Sequence, residues 1–518
     1  EDIEVVVLAQ NGDTVKGKVE VVDDRRIRFI AATDVRGATV AITGKRIRKK
    51  MDWGVIPNTL VRMATGFKNI SISYTQTNGT VLPGYASGTD ILGMNLGGAS
   101  IGPDFAFGRQ YDDQDLQNKI VQDSWLVRDS TLNQMFMRTH SSTLSGNATY
   151  EPFRGFRITF NADRSYSENY QTNYRYVPSE NDFRTQNPLT MGNFSMSYMT
   201  LGSFFDGLGP NFSSPTFDRM LQHRSVLSKR LAEQNPNSNV NPNAIYQLGF
   251  GGNQTDVLYY SFISAYTGVD AESQSLNMFP QIPIPNWRLQ FDGLKNIPFF
   301  ADRFKNIVLT HSYKSTLGVS GFQSNNVYNN LSSAYWQSNP FGYSEFGADG
   351  NYISRFFLNS VSIQEQFQPL IKVDMTFKNE VQTAVEVKSS RNVSLNFPNN
   401  QVTETNSFEV SVGAGYKVAK FKLPFLINGR RLENGFNVRA DIGWRDNSTI
   451  IRKIQEEVQQ ITAGQQQITI KIFAEYELSK SITARAFVDH MGTNPFVSNQ
   501  FPNSTTNGGI SVRFTLQP

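Results

Sequence analysis

Along most of this chain, apolar side chains occupy every second position and polar ones fall between them. That is the period of a β-strand with one apolar face. The last stretch, Gly508 to Pro518, places Ile510, Val512, Phe514 and Leu516 on one side and Ser511, Arg513 and Thr515 on the other. The pattern recurs upstream in Ile70, Ile72 and Tyr74, in Phe156, Ile158 and Phe160, and in Phe194, Met196 and Tyr198. Later segments add charge to the polar side. Ile371, Val373, Met375 and Phe377 alternate with Lys372, Asp374, Thr376 and Lys378. The same phase resumes at Val381, Val385 and Val387, and a continuous strand there would span about 17 residues, near 55 Å at roughly 3.3 Å each. Further segments run Phe408 to Val418, Val438 to Trp444 against Arg439, Asp441 and Arg445, Ile468 to Tyr476 against Lys471 and Glu475, and Ile482 to Val488 against Arg485 and Asp489.

A soluble sandwich also alternates. Repetition about a dozen times, ending almost at the last residue, favours a barrel, because the final strand must pair or leave an open edge. The expected fold is therefore all-β, an antiparallel transmembrane β-barrel with long loop inserts. Ile510, Val512, Phe514 and Leu516 form its closing strand. Lys372, Asp374, Arg439, Asp441, Lys471, Glu475, Arg485 and Arg513 are expected to line a wet lumen, with the apolar positions on lipid.

Two regions are expected. Residues 1–50 form a small β-rich unit with Asn11-Gly12-Asp13 and Asp23-Asp24 turns and a basic end at Lys45, Arg46, Arg48, Lys49 and Lys50. Residues 51–518 form the barrel, opening with an apolar bend over Met51–Thr65 and carrying inserts near 84–138 and 205–245. The first insert is Gly-rich, then acidic and amphipathic. In the second, Phe217, Met220, Leu221, Leu227 and Leu231 make a helical stripe over Pro215–Glu233, stopped by Asn235-Pro236. Inserts of this length suit extracellular loops or folds inside a wide lumen. Tyr259–Val269 reads as a wall segment with no orientable face.

Composition agrees with a barrel. The 518 residues carry 49 basic and 45 acidic side chains, a net +4 too balanced to point to nucleic acid. Mean hydropathy is −0.38, and no run approaches the ~18 apolar residues of a spanning helix. Phe (38) and Tyr (20) are plentiful enough to furnish aromatic girdles. Cysteine is absent, which excludes disulfides and thiolate metal sites. The chain opens at Glu1 with no Met and no leader, as expected of a mature chain or a fragment; this says nothing against export.

No constellation of residues points to an enzyme, metal or cofactor. His140, His223, His311 and His490 lack partners at ligand spacing, and His311 among Ile307, Leu309 and Tyr313 reads as a strand-face residue. Asp112, Asp113 and Asp115 lack the glycine and distal Glu of a calcium loop. Gly97 to Gly102 has no following Lys-Ser/Thr, and no G-x-S-x-G occurs.

From Pro285 onward, longer blocks carry a resemblance. They are PNWRLQFDGLKNIPFFADRFKNIVLTHSYKSTLGVSGF, RNVSLNFPNNQVTETNSFEVSVGAGYKV and the run from Arg445 to Pro518, joined upstream by NTLVRMATGFKNISISYTQTNGTVLPGY and NFSMSYMTLGSFF. These resemble the C-terminal part of the SprA/Sov family, the outer-membrane translocon of the Bacteroidetes type IX secretion system, across most of residues 55–518. The resemblance implies the last portion of one very large single-chain barrel, on the scale of about 36 strands. It implies a bacterial outer-membrane location, export of folded proteins that bear a C-terminal sorting domain, and a role in gliding motility and adhesin secretion. The implied partners are a PorV-like shuttle barrel, a plug protein, periplasmic ring and motor components, and the exported substrates. Two other readings stand beside it: a self-contained porin or transporter of about a dozen strands, and a surface β-rich adhesin.

Overall fold

The computed structural model describes residues 3–23, 26–35, 37–44, 66–92, 94, 101–111, 113–325, 341–424, 431–479, 481–498 and 500–515. The chain separates into two compact units, Glu1–Ala64 and Thr65–Pro518. The expected basic end Lys45–Lys50, the bend Met51–Thr65, most of the Gly97–Gly102 run, Asp112 and Leu516 lie outside the described residues.

The first unit holds four short strands: β1 (Ile3–Leu8), β2 (Gly17–Asp23), β3 (Arg26–Ala31) and β4 (Thr39–Gly44). β1 pairs with β4 and β2 with β3, both antiparallel.

The second unit is one antiparallel sheet. Its main path joins β5 (Phe67–Val81), β6 (Phe136–Phe153), β7 (Phe156–Val177), β8 (Asp182–Ser197), β10 (Phe304–Ser324), β12 (Ser360–Phe377), β13 (Val381–Asn396), β14 (Gln401–Lys422), β15 (Glu433–Lys453), β16 (Val458–Ser479), β17 (Ile482–Pro495) and β18 (Asn503–Phe514). The two-residue β11 (Phe356–Phe357) pairs with β10. The continuous strand expected from Ile371 to Val387 is instead a hairpin: β12 ends at Phe377, and Glu380, at φ 69°, turns the chain into β13. The alternation survives because both arms of a hairpin share a face.

β9 (Asn286–Phe291) shares the column of β8. Both lie between β7 and β10, β8 along one half and β9 along the other. They amount to one wall strand broken in the middle. The break is sealed by Ile284 N–H donating to the Ser197 carbonyl (3.0 Å) and Ser315 N–H donating to Asn286 Oδ1 (2.7 Å).

The chain between these halves, residues 198–285, leaves the wall and folds as an insert. It contains the short α3 (Leu201–Phe204), then α4 (Pro215–Gln234) and α5 (Thr255–Thr267). The earlier insert holds α1 (Pro103–Ala106) and α2 (Asp113–Gln122), and α6 (Pro298–Ala301) lies in the β9–β10 turn. α4 is the helix expected over Pro215–Glu233, capped by Ser214 Oγ accepting from Phe217 N–H (3.2 Å). Tyr259–Val269, expected in the wall, is instead α5 and its cap. All but one of its residues are buried, so no face stood out in the sequence. Gly268 ends it at φ 76°.

Candidate functional site: the two faces of the wall

Strand pairing decides which side chains share a face. One rung reads Leu309, Val373, Val385, Val412, Ile442, Ile470, through β10 and β12 to β16. The next rung, on the opposite face, reads Asp374, Ala384, Gly413, Asp441, Lys471, Asp489. All eight charged positions singled out in the sequence fall on this second face.

There the charges neutralise one another locally. Lys372 pairs with Asp374 (3.1 Å), Arg439 with Asp441 (2.8 Å) and Arg485 with Glu475 (3.6 Å). Glu409, which alternation also placed here, joins Lys388 (3.4 Å) to Arg445. Gly413 makes room for the central pair, since a Cβ there would lie 2.3 Å from Asp441 Oδ1. Arg513 faces the same way opposite Thr483. Toward β5–β8 this face changes character to short hydroxyl and amide groups: Ser71, Ser73 and Thr75, then Thr143, Ser145 and Asn147. The face is mostly polar, with Phe473 and Phe487 opposite each other on β16 and β17 and Arg485 over the Phe473 ring, and it carries no strong excess of either sign.

The apolar face divides at mid-height. The long connections 82–135 and 325–359 leave one end of the strands, called upper here; the turns at the lower end are short, the longest being 292–303. In the lower half most of the apolar side chains are bare: Ile72, Ile371, Val412, Ile442, Ile468, Ile510 and Val512 are all exposed, Ile442 by 54%, whereas Ile307 is buried. On β14 this band runs from Tyr416 to Phe408, roughly 27 Å along the strand, close to the ~25 Å apolar belt of an outer-membrane barrel. Aromatic residues mark its limits. Phe153, Phe156 and Phe291 cluster below, as do Phe304 and Phe377 (4.6 Å); Phe408 and Trp444 meet above (6.1 Å). Above Trp444 the face turns polar at Asp446, whose carboxylate accepts from Gln466 (3.2 Å).

In the upper half the same face is dry. Ile450, on the face of Ile442, is fully buried. Phe194, Met196, Leu317, Val319, Ile363 and Val393 form one core with Phe217, Met220, Leu227 and Leu231 of α4 and with Val257, Phe262 and Tyr266 of α5. A second core joins Leu116, Ile120 and Trp125 to Phe136, Tyr170 and Tyr174. Phe194 and Met196 were expected on lipid and are instead covered by helices. The inserts do not fill the charged side of the wall; they clad the side that carries the bare band.

Two arginines fasten the larger insert. Arg391 on β13 pairs with Glu365 on β12 (2.8 Å), both buried, and donates to the Ser203 carbonyl (2.8 Å). Arg452 on β15 pairs with Glu404 on β14 (3.1 Å) and donates to the Phe212 carbonyl (2.7 Å). All four share the phase of the buried apolar residues Ile363, Val393, Val402 and Ile450 on their strands. Within the insert, burial pushes the Asp256 carboxyl above its usual range and holds the His223 imidazole below its own.

The other histidines have local partners. His140 contacts Asn78 Oδ1 (2.8 Å), His311 the Leu370 carbonyl (2.6 Å) and His490 the Thr506 hydroxyl (2.8 Å). Among the described residues no three His, Asp or Glu side chains gather as a metal site. Asp115 sits on α2, and the side chains of Asp112 and Asp113 are outside the described residues.

No protein-family model matches the chain. No curated protein matches it either. Solved structures that align with it include the β domain of the Bordetella autotransporter BrkA, at 6% identity over 74% of this chain and 92% of that one, TM-score 0.21. The trimeric form of OmpT, an outer membrane protein of Vibrio cholerae, aligns at 9% identity over 74% and 93%, TM-score 0.19. Superpositions that loose lend no geometry to this chain. Its own bare apolar band, aromatic rims, polar opposite face and short-turn/long-loop asymmetry make the second unit an antiparallel β-barrel wall of the bacterial outer membrane, with outer-membrane lipid against the lower half of one face.

Proposed function

We propose that the chain is the C-terminal part of a SprA/Sov-type translocon, exporting folded proteins with a C-terminal sorting domain through a wide lumen. The supporting observation is that the sheet is open: among the described residues β5 and β18 each have a neighbour on one side only, and they do not pair with each other. The strand expected to close the barrel, Ile510 to Phe514, is an edge. Bare strand edges are not tolerated in hydrocarbon, so further strands of the same barrel continue the wall at both edges, and the wall belongs to something larger than a dozen-stranded porin. A polar face with balanced charge suits the passage of proteins of either sign. The PorV-like shuttle, the plug protein and the ring and motor components belong to the same proposal.

The test is site-specific photocrosslinking in cells secreting a sorting-domain protein stalled by a fused, tightly folded domain. A crosslinker at Lys471 captures the stalled protein, and one at Ile470 captures none. A closed, conducting monomer from this chain alone, with no capture at Lys471, would mark it as a porin.

A further inference from the structure

The chain from Thr200 to Phe212 crosses the wall strands instead of following them. It starts over β10, where Thr200 N–H donates to the Tyr313 hydroxyl (3.0 Å). It passes β13, where Arg391 holds the Ser203 carbonyl, and reaches β15, where Arg452 holds the Phe212 carbonyl. Its first part, over Tyr313, Phe367 and Arg391, is the lower rim of the insert just above the bare band; from there the chain climbs to Arg452 near the upper end of β15. Phe204 and Phe205 rest on Phe367 of β12, at ring distances of 4.8 and 5.5 Å. Below Phe367 the strand passes an irregularity in which Pro369 is buried, and then reaches Ile371, which is exposed.

The rim exposes the wrong residues for water. Phe205 is 66% exposed and Leu208 is also exposed. Asp206, between them, is instead engaged by α4, accepting from Thr216 (2.7 Å) and Arg219 (2.8 Å). Asp206 remains partly exposed, but its carboxylate is held by α4, which leaves Phe205 and Leu208 as the outward apolar pair.

We propose that the Leu201–Leu208 rim is an interfacial lipid anchor. Phe205 and Leu208 insert among the outer-leaflet acyl chains just below the headgroups and set how deep the wall sits. The occupant is membrane lipid, because the exposed rim is continuous through Phe367 and Ile371 with the lipid-facing band. The proposal rests on that band facing lipid, and its test separates the two.

The chain has no cysteine, so single reporters can be placed by Phe205→Cys, Leu208→Cys, Ile442→Cys and Ile245→Cys. Each is labelled with an environment-sensitive fluorophore in the whole protein, reconstituted in phosphatidylcholine vesicles. Phe205→Cys and Leu208→Cys are expected to be quenched several-fold more by a shallow spin-labelled lipid than by aqueous iodide. Ile442→Cys responds to the deep spin label and Ile245→Cys to iodide alone. If both rim reporters behave like Ile245→Cys while Ile442→Cys stays in lipid, the anchor is overturned and the wall stands. If Ile442→Cys also responds to iodide, the lipid-facing wall fails, and the anchor with it.

Discussion

Arg391 and Glu365 face each other across neighbouring strands at 2.8 Å, both buried, on the same face whose lower half is bare to lipid. The pair is roofed by the insert through Ser203, whose carbonyl and hydroxyl both accept from the guanidinium (2.8 Å each). A charge pair in such a place is stable only while the insert covers it.

Glu365→Ala is therefore expected to leave a buried guanidinium unbalanced, at a cost of about 3–5 kcal/mol. The double change Glu365→Leu with Arg391→Met is expected to cost much less. Protease accessibility of residues 198–285 measures both, with cleavage rising in the single variant and staying near wild type in the double.

Facing predicts a second contrast. Ile470→Arg places a charge in the bare band and is expected to cost about 2–4 kcal/mol if near the midplane, blocking assembly. Lys471→Ala, one residue along and on the charged face, leaves assembly intact. Heat-modifiable migration of membrane fractions reads the difference, and equal tolerance would mean that the faces are reversed.

The His223 imidazole contacts the Ser264 hydroxyl (2.6 Å), with Asp270 and Arg219 acting on it in opposite senses. Burial lowers its folded pKa below the ordinary 6.5. The unfolded insert then binds the proton more readily, so stability falls as pH drops from the unfolded pKa toward the folded one and levels off below that. Protection factors of the α4 amides, corrected for the intrinsic pH dependence of exchange, should fall as pH drops below 6.5, and His223→Gln should flatten that dependence.

Gly268 caps α5 at φ 76°, and a Cβ there would lie 2.8 Å from the Gly202 backbone. Gly268→Ala combines a left-handed alanine, costing about 1–2 kcal/mol, with a backbone clash that cannot relax by rotamer. The insert should loosen from the wall, read as faster proteolysis at unchanged levels of membrane-inserted protein.

Alternation fixed more of this protein than any motif. Because side chains in a strand switch sides every residue, the eight charged positions from Lys372 to Arg513 had to fall together once the strands paired in register, and they did. The stripe of α4 was legible for the same reason, being periodic with one face covered. α5 was not, because a helix buried on nearly every side has no contrast to display. What covers each half of the apolar face was also invisible: hydrocarbon beside Ile442 and helices above Ile363 exclude water equally, so both select the same residues. Only the tertiary structure brought residues 198–285 back onto their own strand, set Arg391 and Arg452 beneath them, and left the two sheet edges open. Local sequence dictates which side chains shun water, whereas which apolar phase receives them depends on contacts between residues far apart in the chain.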